Sequence, residues 1–287
     1  MNLWFSEKWT DATKFSIKYE ERLISKKSKY QKIDFYRSKE WGTFFTLDDL
    51  FMVTEKDEFI YHDMIVHPAM AVNPKIQKVL VIGGGDGGTV RELTRYKTIT
   101  TIDMVEIDEE VVKLCQKFIP QTASQLVDKR VNLFFEDGVA FVNKAQTNSY
   151  DLILVDSTDP IGPGEGLFTT AFYQNCYRIL NDNGILINQH ESPYFEQYAQ
   201  EMLRSHGKLK NIFPIAKVYQ FHQAIYPSGH WLFGFASKNL DPLTNLNIEQ
   251  WKKFNLHTRY YNPDIHLGAF MLPTYVKEML QNKENKE

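Results

Sequence analysis

Carboxylates stand directly after three apolar segments of this 287-residue chain. Glu106 follows the first segment, and Asp137 follows the second. Asp156 closes the third, with Asp159 three residues beyond it. If the segments are parallel strands, their carboxyl ends meet at one end of a sheet, where open α/β folds bind ligands. Because an ionised carboxylate only accepts hydrogen bonds, Glu106 suits the two hydroxyls of a ribose and Asp137 suits the amino group of an adenine.

The pair formed by Asp156 and Asp159 lies in a stiff segment. Two prolines, Pro160 and Pro163, follow the apolar run and restrict the backbone. We interpret the two carboxylates as a pair that holds an amine and removes a proton from it. The alternative is that Asp159 only stabilises a turn before Pro160.

A glycine cluster at 83–88 precedes these acids and contains Asp86. The pattern G-x-G-x-x-G, typical of loops that bind the pyrophosphate of NAD, is satisfied by Gly83, Gly85 and Gly88. Asp86 argues against that ligand, because like charges about 4 Å apart repel by about 4 kcal/mol at an effective dielectric constant of about 20. The loop therefore favours a cation such as S-adenosylmethionine or a relative. Beside it, Glu106 and Asp137 are better explained as a nucleoside site than as solvated strand ends.

Alternating strands and helices from residue 78 onward predict a parallel sheet with helices on both faces. Two further strands, at 214–221 and 231–237, predict an antiparallel pair that closes one edge of the sheet. The other predicted strands are 79–82, 101–106, 131–135, 152–156 and 184–189. The predicted helices are 89–95, 109–118, 169–180 and 196–206.

The first 66 residues show short alternating runs instead of a helical period. A turn at Asp48 and Asp49 separates two of these runs, and a helix is expected near 62–72. We therefore predict an N-terminal β-strand domain at 1–66 and a catalytic domain at 67–287.

Composition narrows the function classes. The net charge of −3 and the isoelectric point near 6.3 give no reason to expect a nucleic-acid or membrane surface. The N-terminus has charges where a secretory signal needs apolar residues, and no apolar run approaches the roughly 18 residues of a membrane span. A cytoplasmic protein is expected. The histidines other than His62 show no metal-ligand spacing, so we expect no metal.

The motifs as a set resemble the spermidine synthases, the aminopropyltransferases of polyamine synthesis, and the resemblance covers nearly the whole chain. Its motifs are the segments 57–64, 83–88, 105–108, 137–138, 156–163, 189–192, 226–229, 259–262 and 272–273. The resemblance implies a Rossmann-like, methyltransferase-type domain that follows a small antiparallel β domain. It also implies transfer of the aminopropyl group of decarboxylated S-adenosylmethionine to putrescine, giving spermidine and methylthioadenosine.

The resemblance also implies a role for each motif residue. Asp156 would be the proton acceptor, and Asp159 would hold the far amine of putrescine. The nucleoside site would comprise His62, Gly83, Gly85, Asp86, Glu106, Asp137 and Gly138, with Asp86 on the amine of the aminopropyl arm. The diamine site would comprise Tyr61, Asp86, Asp156, Asp159, Gln189 and Tyr226.

No cofactor is implied, because decarboxylated S-adenosylmethionine is a co-substrate, and a homodimer or homotetramer is expected. The segment 224–226 reads Ala-Ile-Tyr where the family commonly has Pro-Thr-Tyr, so another diamine such as cadaverine remains open. Glu136 also stands where the family often has glycine. The rival functions are an S-adenosylmethionine-dependent methyltransferase, a dehydrogenase and a non-enzymatic polyamine-binding protein.

Overall fold

The N-terminal part of the chain is built from two small antiparallel sheets, as its alternating pattern predicts. The computed structural model describes residues 3–158 and 162–282. Asp48 and Asp49 adopt left-handed φ values of 47° and 67° in the predicted turn, which joins the last two strands. One sheet pairs β1 (Leu3–Lys8) with β2 (Lys14–Tyr19), and the other has the order β3 (Glu21–Lys27), β4 (Lys32–Ser38), β5 (Gly42–Leu47), β6 (Leu50–Thr54).

A seven-stranded sheet forms the centre of the molecule, and its strand order is β12-β13-β11-β10-β7-β8-β9. The five strands from β11 to β9 in this order run parallel, whereas β12 and β13 form the predicted antiparallel edge. These strands are β7 (Lys78–Gly83), β8 (Thr101–Val105), β9 (Val131–Phe134), β10 (Tyr150–Asp156), β11 (Leu180–Gln189), β12 (Ile215–His222) and β13 (His230–Ser237). The Rossmann-like fold with a small N-terminal β domain is confirmed.

Helices cover both faces of this sheet. Four of them match predicted helices, and α7 continues six residues beyond the predicted end at 206. The helix expected near 62–72 corresponds to α1, and the sequence pattern missed α4, α5 and the three C-terminal helices. The helices are α1 (Glu58–Val72), α2 (Gly88–Thr94), α3 (Glu109–Phe118), α4 (Pro120–Ala123), α5 (Gly138–Lys144), α6 (Thr170–Ile179), α7 (Glu196–Ile212), α8 (Ile248–Lys252), α9 (Pro263–Ala269) and α10 (Thr274–Asn282).

Helix α1 connects the two parts of the chain. It begins at Glu58, four residues before the expected start, and the predicted domain boundary at residue 66 falls inside it. One buried apolar cluster contains Phe35 and Phe45 of the N-terminal sheet together with α1 and Val81 of the central sheet. The two parts therefore share a core, while the division at residue 66 stays a prediction. Among the described residues, no helix has the length and apolar character needed to cross a membrane.

The buried carboxylate of Asp63 anchors the C-terminal segment on α1. Its Oδ2 accepts hydrogen bonds from three successive backbone N–H groups, those of Arg259 at 3.0 Å, Tyr260 at 2.7 Å and Tyr261 at 3.1 Å. We predict that Asp63→Asn lowers the free energy of unfolding by about 2 to 3 kcal/mol, because bonds to a charged acceptor become bonds to a neutral amide. Chemical denaturation measures the loss.

The matched control for this change is Asp11→Asn, at an exposed position. That substitution should alter the free energy of unfolding by less than about 0.5 kcal/mol. Equal stability of the two variants would show that the three backbone bonds contribute nothing.

Candidate active site

A cleft opens at the carboxyl ends of β7, β8 and β10 and is roofed by the N-terminal sheet. It holds about 1030 Å³ of space not filled by atoms, including its mouth. A nucleoside-sized ligand fits this volume. Ten predicted site residues line it: Tyr61, His62, Gly83, Gly85, Asp86, Glu106, Asp137, Gly138, Asp156 and Tyr226. Gln189 is not among the lining residues, and Asp159 lies outside the described residues.

The glycine turn after β7 brings backbone against Asp156. Gly83 has a φ of 84°, and a Cβ on it would lie 2.1 Å from the carbonyl oxygen of Asp156. The N–H of Gly84 donates to the same oxygen at 2.8 Å. Only glycine permits this φ and this approach without strain. The turn therefore fixes the position of Asp156 relative to Asp86.

Asp86 is held by two donors. Its Oδ1 accepts the backbone N–H of Gly88 at 2.8 Å and lies 3.1 Å from Nε2 of His62. Burial alone would raise the pKa of Asp86, but the positive charge and hydrogen bond of His62 lower it below the usual value. Asp86 is therefore an ionised carboxylate that points into the cleft.

His62 lies between two acids. Its Nδ1 is 2.6 Å from Oε2 of Glu58, which precedes it by one helical turn on α1, and its ring packs on Gly88. Burial would lower the pKa of His62, but Asp86 and Glu58 raise it to about 10. The imidazole is therefore protonated at neutral pH. The sequence placed His62 in the site but gave it no charge.

Asp156 ends β10, partly buried, with its side chain beside the glycine turn. Its Oδ2 accepts a hydrogen bond from Oγ1 of Thr89 at 2.6 Å. Burial and the charge of Asp86 raise the pKa of Asp156 to about 6, against the lowering effect of His62. The hydroxyl of Tyr61 interacts with the same carboxylate. A carboxylate with a raised pKa is a better proton acceptor for an amine than an ordinary aspartate.

Glu106 stands beside the glycine turn at the end of β8. A Cβ on Gly85 would lie 3.0 Å from Oε2 of Glu106, so the turn leaves the carboxylate open to the cleft. Its Oε1 accepts the backbone N–H of Asp108 at 2.9 Å. Burial, together with the charges of Asp108 and Asp156, raises the pKa of Glu106 to about 7. The geometry leaves Oε2 available to hydroxyl donors.

Asp137 also caps a helix. Its Oδ1 accepts the backbone N–H of Val139 at 2.8 Å, at the start of α5. The side chain is exposed at the rim of the cleft, which leaves its second oxygen free to accept an amino group. The capping role was not foreseen, because α5 was not predicted.

Two glutamines line the cleft without any prior signal in the sequence. Gln31, between β3 and β4, donates to Oδ2 of Asp108 at 3.1 Å. Gln223, after β12, is buried, and its Oε1 has no hydrogen-bond partner within the residues that the structure describes. Both come from segments far in sequence from the glycine turn.

The aromatic wall of the cleft is formed by Tyr61 and Tyr226, whose ring centroids are 6.0 Å apart. The hydroxyl of Tyr226 donates to the carbonyl of Met52 at 3.0 Å. Behind this wall, the side-chain nitrogen of Gln189 donates to Oε1 of Glu191 at 2.9 Å. Its Oε1 accepts the indole N–H of Trp231 at 3.1 Å. Gln189 thus supports the aromatic wall from behind, through Trp231, which packs on Tyr226. Its contact with a diamine stays a prediction.

Comparison with known proteins identifies the family. The model of the spermine/spermidine synthase domain matches residues 58–250, and that of the spermidine synthase tetramerisation domain matches residues 3–55. The chain belongs to the spermidine synthase family. It is 64% identical over 282 residues to a polyamine aminopropyltransferase of Clostridium perfringens, covering 98% of this chain and 99% of that one. It is 61% identical over 283 residues to that of Clostridioides difficile, covering 99% and 100%.

Solved spermidine synthases share the whole fold. One, in complex with the transition state analogue AdoDATO, superposes with a TM-score of 0.94 at 36% identity, covering 98% of this chain and 95% of that chain. The enzyme from Thermotoga maritima gives a TM-score of 0.93 at 36% identity, covering 98% and 94%. The protein is thus an enzyme of the polyamine aminopropyltransferase class, which confirms the family and the class predicted from sequence.

A second buried charge cluster of this aminopropyltransferase lies behind the active site. Nε2 of His67 is 3.3 Å from Oδ1 of Asp63 and 3.2 Å from Oε2 of Glu92. The two acids raise the pKa of His67 against the effect of burial, which favours the charged form of the ring beside these carboxylates. Sequence spacing did not reveal this convergence, because it joins α1 to α2. The expectation that the enzyme uses no metal and no cofactor stays a prediction.

Proposed function

We propose that the enzyme transfers the aminopropyl group of decarboxylated S-adenosylmethionine to putrescine, giving spermidine and methylthioadenosine. The observation that carries this proposal is the placement of two carboxylates, Asp86 and Asp156, at the floor of a cleft that also presents Glu106 and Asp137. Such a floor suits cationic substrates. Asp86, Glu106 and Asp137 match a nucleoside with a cationic arm. Asp156 matches the second cation, a diamine.

The donor would lie across the ends of β7, β8 and β9. Glu106 accepts the ribose hydroxyls, and Asp137 accepts the adenine amino group. Asp86 pairs with the ammonium of the aminopropyl arm, which directs the sulfonium and its adjacent methylene toward Asp156. The relative solved with AdoDATO supports a ligand of this kind, because that molecule is described as a transition state analogue.

The acceptor amine attacks the methylene carbon next to sulfur. A new nitrogen–carbon bond forms, the carbon–sulfur bond breaks, and the electron pair neutralises the sulfonium, which leaves as the thioether. Asp156 takes the proton that the nitrogen loses, while Tyr61 and Tyr226 line the diamine channel. In-line alignment of nitrogen, carbon and sulfur supplies much of the acceleration.

Donor choice provides the test. Because Asp86 and Asp156 face the arm, the extra carboxylate of S-adenosylmethionine would be repelled there, and calorimetry should show about thirtyfold weaker binding than for the decarboxylated donor. Equal or tighter binding of the carboxylated form would overturn the proposal and favour a methyltransferase. NADH should show no saturable binding, which excludes a dehydrogenase.

Asp159 provides a prediction for the acceptor side. We expect Asp159→Asn to raise the KM for putrescine about tenfold, because an anchoring charge pair is weakened, while the Kd of the donor changes little. Steady-state kinetics with the diamine varied, combined with donor calorimetry, separates the two effects. A collapse of donor affinity would mean that the roles of Asp156 and Asp159 are wrongly divided.

The choice of diamine rests on the channel wall. Gln223 and Tyr226 line the cleft, and Ala224 and Ile225 between them replace the Pro-Thr that the family commonly has. This departure favours testing cadaverine as the second acceptor. The match of residues 3–55 to a tetramerisation domain supports a homo-oligomer, dimeric or tetrameric. A cytoplasmic location stays a prediction.

A further inference from the structure

Glu58 forms a hydrogen bond with the active-site histidine and an ion pair with an arginine on the other side. Its Oε2 lies 2.6 Å from Nδ1 of His62. Arg91 of α2 binds the same carboxylate in a bidentate pair, with Nη1 donating to Oε1 at 2.9 Å and Nη2 donating to Oε2 at 2.9 Å. Glu58 is only 4% exposed, so solvent competes little for these bonds. Both oxygens are therefore occupied by protein partners, and Glu58 does not need a substrate to satisfy it.

Charges alternate along this row of side chains. Arg91 is positive, Glu58 negative, His62 positive and Asp86 negative. Asp156, a second carboxylate, lies next to Asp86 at the end of the row. Single atoms from His62, Asp86 and Asp156 all lie within 4.8 Å of one another. Two carboxylates this close and this buried do not both ionise near neutral pH unless a cation lies beside them.

We propose that Glu58 is a positioning residue: held by Arg91, it keeps His62 as an imidazolium, so that Asp86 and Asp156 are both ionised before the substrates arrive. The inference rests on the proposed function, in which each of these carboxylates receives a cationic group. It assigns Glu58 and Arg91 a role in setting the charge of the site before substrates bind.

The groups that face His62 support this role. Glu58 and Tyr61 face it from α1, Asp86 from the glycine turn, and Asp156 from β10. Against the effect of burial, Asp86 and Glu58 hold the pKa of the ring near 10. His62 in turn lowers the pKa of Asp156, opposing burial and Asp86. Without Glu58, the ring would lose one of the two acids that keep it protonated. Once the ring is neutral, its lowering effect on the pKa of Asp156 is gone and that pKa rises.

The test is Glu58→Gln, which keeps the shape of the side chain and removes its charge. Histidine NMR of the protein without substrates, with the His62 signal assigned from His62→Gln, should show the His62 pKa lowered by about four units, so that the ring is neutral where Asp156 titrates. The acid limb of kcat/KM should move to higher pH by about one unit. At about pH 9 the variant should recover to within about threefold of wild type, since both carboxylates then ionise.

Glu92→Gln is the matched control. Glu92 also binds Arg91, with Oε1 2.9 Å from Nε, but it does not touch His62. This variant should leave the acid limb within about 0.3 units of wild type. Glu58→Asp moves the carboxylate back by one methylene and should shift the His62 pKa and the acid limb less than Glu58→Gln does. It replaces Glu58→Gln in the test if that variant fails to fold.

An unchanged His62 pKa in Glu58→Gln, or a loss of activity that is equal at all pH values, would overturn the inference. The proposed function fails separately, because it requires wild-type enzyme to release methylthioadenosine. The NMR titration needs no substrate, so it reports on Glu58 in either case.

Discussion

Asp156→Asn is expected to lower kcat about a thousandfold, within the range found when a general base is removed. An ammonium such as that of putrescine has no lone pair and a pKa near 10.4, whereas an ordinary aspartate has one near 3.9. That difference of about six units corresponds to roughly 8 to 9 kcal/mol. In the structure, burial and Asp86 raise the pKa of Asp156 to about 6, which narrows the gap from one side. The sulfonium of the bound donor narrows it from the other side by lowering the pKa of the attacking amine.

The pH dependence of activity follows from the raised pKa of Asp156. Asp156 accepts a proton only while it is ionised, so activity is retained above its pKa of about 6 and falls as the pH drops below it. Single-turnover kinetics with bound donor should show this limb. Donor affinity measured by calorimetry should change less than about threefold in Asp156→Asn, because Asp86, Glu106 and Asp137 remain. Full turnover in the variant would contradict the assignment of Asp156 as the proton acceptor.

The second large effect is expected for Asp86→Asn, which should lower kcat/KM for the donor about a hundredfold. The amide removes a charge-assisted bond to the ammonium of the aminopropyl arm, and it also leaves His62 without one of its acids. Discrimination against S-adenosylmethionine should shrink at the same time by about tenfold, since one of the two repelling charges is gone. Calorimetry with both donors measures the two changes in one experiment.

Gly88 offers an independent check on the Asp86 result, because a Cβ there would lie 2.1 Å from the His62 ring. In Gly88→Ala the ring must move away from Asp86 while the carboxylate is retained. Loss of donor affinity without loss of discrimination is the expected pattern. If Asp86→Asn left discrimination intact, the charge of Asp86 would not be what selects the donor.

The strand ends could be predicted because apolar runs and glycines are local signals. Glu106 and Asp156 lie where the runs that precede them indicate, and Gly83 and Gly85 make the close approaches that a glycine turn requires. Asp137 lines the same cleft. Their positions could be predicted from one rule, that parallel strands present their carboxyl ends at the same edge of the sheet.

The electrostatics could not be predicted in the same way. From the sequence, Asp86 is expected to be an unpaired negative charge. In the structure, it is paired with a protonated His62. The spacing of Glu58 and His62 is a helical i, i+4 signal, but it was hidden because the helix was expected to start near residue 62. Arg91 reaches Glu58 only through the packing of α2 on α1. Long-range contacts of this kind leave no periodic trace in a single sequence.

The central claim is tested most directly by product formation. Wild-type enzyme incubated with decarboxylated S-adenosylmethionine and putrescine should release methylthioadenosine and form spermidine in equal amounts, as resolved by mass spectrometry. Parallel incubation with cadaverine reports the second acceptor. Formation of S-adenosylhomocysteine and a methylated product from S-adenosylmethionine, with no methylthioadenosine from the decarboxylated donor, would contradict the account.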